Sequence, residues 1–585
     1  MTQRRVHSAD GTAIAVYEDG NPDGPTVVLV HGWPDSHVLW DGVVPLLADR
    51  FRIIRYDNRG VGGSDAPQPV SAYTMAHYAD DFAAVAAAVS ADDPVHVLAH
   101  DWGSIGMWEY LARPEAAERV VSFTSVSGPS ADHVNRFAMT SLKRPYRPKP
   151  FLQALDGMAR LAYMGAFSTP VLGAAGVRFA FGRGFMRRRL LRDGIARESI
   201  HHADTFVRDA VRSMKVYPAN YFRGLTTGRT DHYVGVPVQL IVNADDPFIR
   251  PYVFDAVAEW VPRLWRRDLK AGHWAPMSHP HVLARAVGEF VDHLGGAPAA
   301  RDLARARVGG QSAPFAHTLV SVTGAGSGIG RATAEEFASQ GAEVVVSDID
   351  HAAVKETAEL IAARGGVAHA YHLDVADPEA VARFAEQVCA EHGVPDILVN
   401  NAGVGHGGNF LDTPAARYDW VMDINFGGVV NCCRAFTAPM VARGTGGHVV
   451  NVASMAAYTP AGAMNAYATS KAAVFMFSDC LRAELESAGV GVTTLCPGVI
   501  DTNIVDHTRF DVSTAKQGEL AAKQVQIKKA FAARRYGPDK VARAIVSAVR
   551  NNQAIRPVTT EAHVAYGLSR VVPGVLRRAA RSDLL

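Results

Sequence analysis

Two short aliphatic runs, each emptying directly into a glycine turn, constrain this chain more than any other feature. The first is Val27-Val28-Leu29-Val30, which runs into His31-Gly32. The second is Thr318-Leu319-Val320-Ser321-Val322, which runs into Thr323-Gly324. A buried strand that stops at a glycine and hands over to a helical pattern is how a parallel α/β sheet begins. It happens once near the start of the chain and again past its middle. A chain of 585 residues also exceeds what one hydrophobic core supports. The expected fold class is therefore α/β throughout, in two domains: residues 1–296 and 315–557. Residues 297–314, rich in Gly, Pro and Ala, read as a linker, and residues 558–585 as a basic amphipathic tail. Between about 132 and 235 the strand signals fade and helical segments rich in Arg, Phe and Tyr take over, which reads as a helical cap inserted between core strands.

Composition removes several classes of function. The net charge of +1 gives no general reason to expect nucleic acid as a partner. The cysteines (Cys389, Cys432, Cys433, Cys480 and Cys496) are odd in number and form no CxxC pair, so neither a disulfide framework nor a structural metal site is expected. The N-terminus lacks the apolar core of a secretory signal. The most apolar stretch, around Gly165 to Phe181, is interrupted by Pro170 and Arg178. A reducing, cytoplasmic setting follows as the expectation.

Chemistry in the first domain centres on Asp101. The run Val95-His96-Val97-Leu98 leads through Ala99-His100 to Asp101, then to Trp102-Gly103 and a helical pattern. This is a strand, a sharp turn and a helix, with small residues two before and two after the central side chain. Serine is the usual occupant of that centre. A carboxylate there is ionised at neutral pH and attacks an electrophilic carbon without a base. The resulting ester needs an activated water to release it. His273, in Gly272-His273-Trp274, would activate that water, and Asp246, directly before Pro247, would orient the imidazole. Backbone N–H groups of Trp33 and Trp102 would form the oxyanion hole.

The His31-Gly32-Trp33-Pro34 turn, the Asp101 elbow and the Gly-His-Trp segment resemble epoxide hydrolases of the α/β-hydrolase fold over roughly the first 295 residues. The resemblance implies two cap tyrosines that donate to the epoxide oxygen. Tyr163 matches the first; Phe222, in Asn220-Tyr221-Phe222-Arg223, stands where the second is expected. A haloalkane dehalogenase and a non-catalytic lipid-binding domain are the alternatives.

In the second domain the glycine loop runs Gly324-Ala325-Gly326-Ser327-Gly328-Ile329-Gly330. Its bare backbone lets amide groups and a helix N-terminus approach a pyrophosphate. Glu343 to Ser347 then reads as a strand ending in Asp348, whose carboxylate would accept ribose hydroxyls and repel a 2′-phosphate, favouring NAD over NADP. Tyr467 and Lys471, four apart, share a helix face. The ammonium and the positive nicotinamide ring of the cofactor are expected to favour the phenolate, with Ser454 holding the substrate oxygen. These residues resemble the short-chain dehydrogenases/reductases from about Phe315 to Pro557. The resemblance implies a tetrad of Asn425, Ser454, Tyr467 and Lys471. It also implies dinucleotide contacts from Gly324, Ser327, Gly328, Ile329, Gly330, Asp348, Asp374, Val375, Asn401, Ala402, Gly403, Pro497, Gly498 and Thr502. A homo-oligomer formed through this domain is implied as well.

The order of hydrolase then dehydrogenase resembles the fused D-type epoxide hydrolases of mycobacteria. It suggests sequential reactions, because a vicinal diol is a secondary alcohol that an NAD-linked enzyme oxidises. Phe179, Phe185 and Arg187-Arg188-Arg189 in the cap, and Val571, Val575, Arg577 and Arg578 in the tail, mix apolar and basic residues. Lipid-like substrates and peripheral membrane contact are further expectations.

Overall fold

The computed structural model describes residues 2–221, 232–310, 313–501, 508–511 and 536–580. The chain divides into two compact units, Met1–Gly310 and Gln311–Leu585.

In the first unit, an eight-stranded sheet has the order β1-β2-β4-β3-β5-β6-β7-β8. The strands are β1 (Thr2–His7), β2 (Ala13–Gly20), β3 (Thr26–Val30), β4 (Arg52–Tyr56), β5 (Val95–His100), β6 (Val120–Val126), β7 (Val238–Asn243) and β8 (Leu264–Leu269). Pairs β1–β2 and β2–β4 are antiparallel, and β4 through β8 run parallel. Alternation along β3 explains why its whole run is apolar. Val28 and Val30 join one core with Ile54, Val97 and Phe123, while Val27 and Leu29 join another with Ile53, Leu98 and Ile241. Helices from Ala131–Leu142 to Val216–Asn220 sit between β6 and β7 as the cap.

The stretch read as a linker is shorter than its composition suggests. Residues Arg301–Ala306 form a helix whose Leu303 is fully buried with Trp265 and Phe290. Val308 then donates to the Leu264 carbonyl at 2.9 Å. Everything up to that point therefore packs on the first unit.

The second unit has a seven-stranded parallel sheet in the order β11-β10-β9-β12-β14-β15-β17. Its strands are β9 (Leu319–Thr323), β10 (Glu343–Asp348), β11 (Val367–His372), β12 (Ile397–Asn400), β14 (Gly447–Val452), β15 (Val490–Cys496) and β17 (Ile555–Pro557). A small ribbon pairs β13 (His406–Gly408) with β16 (Arg509–Asp511). The strand order reverses between β9 and β12, which opens a crevice at their carboxyl ends, as in dinucleotide-binding sheets. The first part of the expected tail is not free: the helix Thr560–Val571 buries Ala562 and Ala565, and Tyr458 donates to the Ala562 carbonyl at 3.0 Å. No helix among the described residues is long and apolar enough to cross a membrane.

Candidate active sites

Four chain segments meet at the carboxyl end of the first sheet. Asp101 follows β5 and opens the helix Asp101–Leu111. Its φ of 50° places a non-glycine residue in the left-handed region, a strained conformation typical of functional turns. The small neighbours make that turn sterically feasible. A Cβ on Gly103 would stand 2.2 Å from the His31 carbonyl oxygen, and one on Gly32 would stand 2.5 Å from both Cβ and Oδ2 of Asp101.

The Asp101 carboxylate is held at both ends. The Trp33 backbone N–H donates to Oδ2 at 3.0 Å, and the Trp102 N–H also donates to the carboxylate. Oδ1 lies 3.7 Å from His273 Nε2. His273 Nδ1 lies 2.8 Å from Asp246 Oδ2, and Asp246 Oδ1 accepts from the Phe248 and Ile249 N–H groups at 2.8 and 3.0 Å. Burial pushes Asp101 up to about 6, against the pull of His273 and the two N–H groups. Burial alone would lower His273, but Asp246 and Asp101 overcome it and raise the imidazole to about 9. Burial also works to raise Asp246, yet the same imidazole and the two N–H groups hold it below the ordinary range. Asp245, by contrast, pairs with Lys270 at the surface.

Three further residues here were not singled out from the sequence. His100, buried and held neutral, contacts the His273 carbonyl through Nε2 at 2.9 Å and ties the elbow strand to the His273 loop. Asp35 is buried, accepts from the Trp274 indole at 3.0 Å, and is raised to about 7 by burial with Asp101 adding to the shift. Tyr217, on the cap helix Val216–Asn220, packs its ring 5.0 Å from Trp33, 5.4 Å from Trp102 and 5.9 Å from Tyr163. Burial holds the hydroxyls of Tyr163 and Tyr217 protonated, the Asp101 charge reinforces this for both, and the two hydroxyls interact. The Trp102 indole donates toward Tyr217. Phe222 lies outside the described residues.

The second site assembles around the crevice between β9 and β12. Gly324 has a φ of 63°, and a Cβ there would meet the Ala402 Cα at 2.7 Å. On Gly330 it would meet the Gly324 oxygen at 2.0 Å. The turn therefore leaves Ser327, Gly328 and Ile329 at a helix N-terminus with bare backbone outward. Asn401 braces the loop, donating through Nδ2 to the carbonyls of Thr323 and Gly324 at 3.1 and 3.0 Å. Asp348 ends β10 beside the loop and accepts from the Gly326 N–H at 2.8 Å. Asp374 accepts from the Ala376 N–H at 2.9 Å, and Val375 packs against Gly428.

Asn425 sits buried in a π-type turn, exchanging hydrogen bonds with the Val404 backbone at 2.8 and 3.0 Å. Gly403 lies against Asn425 and the Lys471 ammonium. Pro497 accepts from the Met455 N–H at 2.8 Å, which ties the loop after β15 to the turn after Ser454. Gly498 abuts Thr559. Thr502 lies outside the described residues. Burial raises the Tyr467 phenol and a hydrogen bond with Ser454 opposes the rise, with Lys471 one helical turn along. The ammonium, lowered to about 8 by burial, donates to the Val452 carbonyl at 3.0 Å and lies 5.9 Å from the tyrosine ring centre.

Two family models match, α/β hydrolase fold over residues 25–280 and short chain dehydrogenase over residues 318–512. A Mycobacterium tuberculosis protein named "Probable oxidoreductase EphD" is 61% identical over 581 residues, covering 99% of this chain and 98% of that one. The chain belongs to the EphD oxidoreductase family. The Mycobacterium bovis EphD shows the same identity and coverage. A "C alpha-dehydrogenase" of Sphingobium is 32% identical over 241 residues, 41% of this chain and 79% of that protein. Among solved structures, a short-chain dehydrogenase/reductase from Burkholderia phymatum in complex with NAD is 30% identical, covering 46% of this EphD-type chain and 98% of its own, with a TM-score of 0.42. The dehydrogenase match and the built glycine crevice assign NAD as the cofactor of the second unit.

Proposed function

We propose that the first unit hydrolyses epoxides to vicinal diols through an ester on Asp101, and that the second oxidises a secondary alcohol with NAD. The observation that carries the first reading is the Asp101 carboxylate, with Oδ2 on the Trp33 N–H, Oδ1 facing His273, and phenols of the cap beside it. Oδ1 attacks an epoxide carbon. The C–O bond breaks, and its electron pair takes a proton from Tyr163 or Tyr217. Esterification removes the Asp101 charge that helps hold the imidazolium, and neutral His273 then removes a proton from water, which attacks the ester carbonyl while the N–H groups of Trp33 and Trp102 hold the oxyanion. Collapse expels the ester alkoxide, which takes the proton held by His273, and the proton left on the new carboxyl returns to the tyrosinate, restoring the Asp101 carboxylate and releasing the diol. The phenols support an epoxide over a halide, because a leaving alkoxide needs a proton and an indole N–H does not supply one. Mass spectrometry of the His273→Gln variant with a reactive epoxide tests this. An adduct on Asp101 is expected, since ester formation needs no base and ester hydrolysis does; no adduct with any reactive epoxide sinks the reading.

In the second unit, bound NAD supplies the hydride acceptor. Ser454 holds the substrate oxygen, Tyr467 takes the hydroxyl proton, Lys471 and Asn425 position the crevice, and Asp348 selects the unphosphorylated ribose. The diol from the first unit is a chemically suitable substrate. Epoxide plus NAD should give NADH, lost in both Asp101→Ala and Tyr467→Phe; NADH formation indifferent to Asp101 would separate the reactions.

The substrate we favour is lipid-like, met at an anionic membrane surface. Phe179 and Phe185 are 86% and 56% exposed beside the arginine-rich helix Arg183–Arg192, and Phe181 packs 5.0 Å from Trp33 above the nucleophile. Val571 and Val575 are exposed next to Arg577 and Arg578 in the tail. Flotation with phosphatidylglycerol vesicles, weakened by Phe179→Ser with Phe185→Ser, is expected; absence of binding at low salt removes the idea.

A further inference from the structure

The second unit carries a cluster that neither proposed reaction uses. Glu343 opens β10, and His369 and Tyr371 lie two apart on β11 and so share a face of the sheet. His392 follows the helix Pro378–Glu391. His369 Nε2 lies 2.9 Å from Glu343 Oε1, and His392 Nδ1 lies 3.9 Å from the same oxygen. The imidazole rings stack with centres 3.9 Å apart. The three donor atoms all lie within 4.8 Å of one another.

Neighbouring hydrogen bonds orient one of the rings. The Tyr371 hydroxyl is 2.6 Å from Glu391 Oε2 and 2.7 Å from His392 Nε2. A phenol has one hydrogen, and a carboxylate only accepts. The hydroxyl therefore donates to Glu391 and accepts from the His392 Nε2–H. In neutral His392 the lone pair is then on Nδ1, turned toward Glu343 and His369. A lone pair and a carboxylate oxygen facing each other attract a cation between them. A phenol and carboxylate behind a histidine are also the kind of outer partners that fix a ligand's tautomer.

We propose that Glu343, His369 and His392 bind a divalent transition-metal ion, with zinc(II) the best match. Two imidazole nitrogens and one carboxylate oxygen are a borderline-soft donor set of the kind zinc takes. Bonds of about 2.0–2.1 Å would draw the donors to about 3.3 Å of one another, a contraction of side-chain scale. Their side chains are 13–31% exposed, so water fills the fourth position. Glu343 and Asp348 stand at opposite ends of β10, about 16 Å apart at strand rise. The ion is accordingly structural: it ties the edge strand β11 to β10 and to the end of a helix, where an open sheet edge is most prone to fray.

The test uses the full chain, stripped with chelator and titrated with zinc by calorimetry. Wild type should take up one more tight equivalent than either Glu343→Gln or His369→Ala, with a rise in the melting temperature that both variants lack. NAD-linked turnover reports that each variant is folded and should not respond to zinc. Cobalt(II) gives a second readout, a tetrahedral visible absorption present in wild type and absent in His369→Ala. Equal zinc uptake by wild type and both variants, or a cobalt spectrum that survives His369→Ala, overturns the site. A proton on Nδ1 in place of the metal would show itself as no zinc uptake at this cluster, which also overturns it.

Discussion

The two sites occupy the same place in their sheets, outside the carboxyl ends of parallel strands, and they handle charge in opposite ways. The hydrolase site keeps a carboxylate and an imidazole facing each other at 3.7 Å, with Asp246 behind the imidazole and backbone N–H groups on the carboxylate. Its charges answer one another within the polypeptide. The dehydrogenase site does the reverse. Its phenol is pushed toward the neutral form by burial, and its ammonium donates to the Val452 carbonyl while lying 5.9 Å from the ring centre. Bound NAD would add its positive nicotinamide ring to the ammonium already beside the phenol. One site balances a carboxylate against an imidazole; the other sets a buried phenol beside a single cation.

This contrast sets the predictions. Asp101→Ala should remove epoxide turnover by about 10⁴-fold or more while leaving NAD-linked alcohol oxidation intact, measured on separate soluble substrates. Tyr467→Phe should do the converse; a loss of both activities in either variant would break the independence of the two sites. Tyr217→Phe should cost about 10²-fold in epoxide opening, similar to Tyr163→Phe, read from single-turnover rates. If only Tyr163→Phe slows the step, Tyr217 is packing. Epoxide opening in the wild type should fall as pH drops through about 6, because burial raises the Asp101 carboxyl to that value and only its ionised form attacks. A pH-independent rate from 5 to 7 would contradict the assigned nucleophile. The smallest effect is expected for Asp348→Ala, which should raise the KM for NAD about tenfold and narrow the preference over NADP.

Both sheets, the Asp101 elbow and the glycine crevice were legible in the sequence because each rests on local steric demands. Only small residues fit beside the elbow, and only bare backbone fits where Gly324 and Gly330 approach each other. Tyr217 was not legible. It packs on Trp33 and Trp102, which flank Asp101, only because the cap folds over the sheet, and nothing in Val216-Tyr217-Pro218 marks it. Asp35 stood in view, one residue after Pro34, yet its burial against the Trp274 indole depends on a loop far along the chain. Spacing put Lys471 on the Tyr467 face of the helix, where the ammonium does lie over the ring, but its further hydrogen bond to the Val452 carbonyl comes from a strand that spacing does not reveal. The Gly/Pro-rich composition after Gly295 likewise masked Leu303 and Ala306, three apart and both facing Trp265.

That last helix decides where the protein should be cut. A hydrolase fragment ending at residue 296 would lose the Leu303 side chain that covers Trp265 and Phe290, baring an aromatic surface to water. Severing the chain after Gly310 instead keeps this strap on its sheet. Attempts to express the halves apart should succeed or clump according to which side of fourteen residues the stop codon falls.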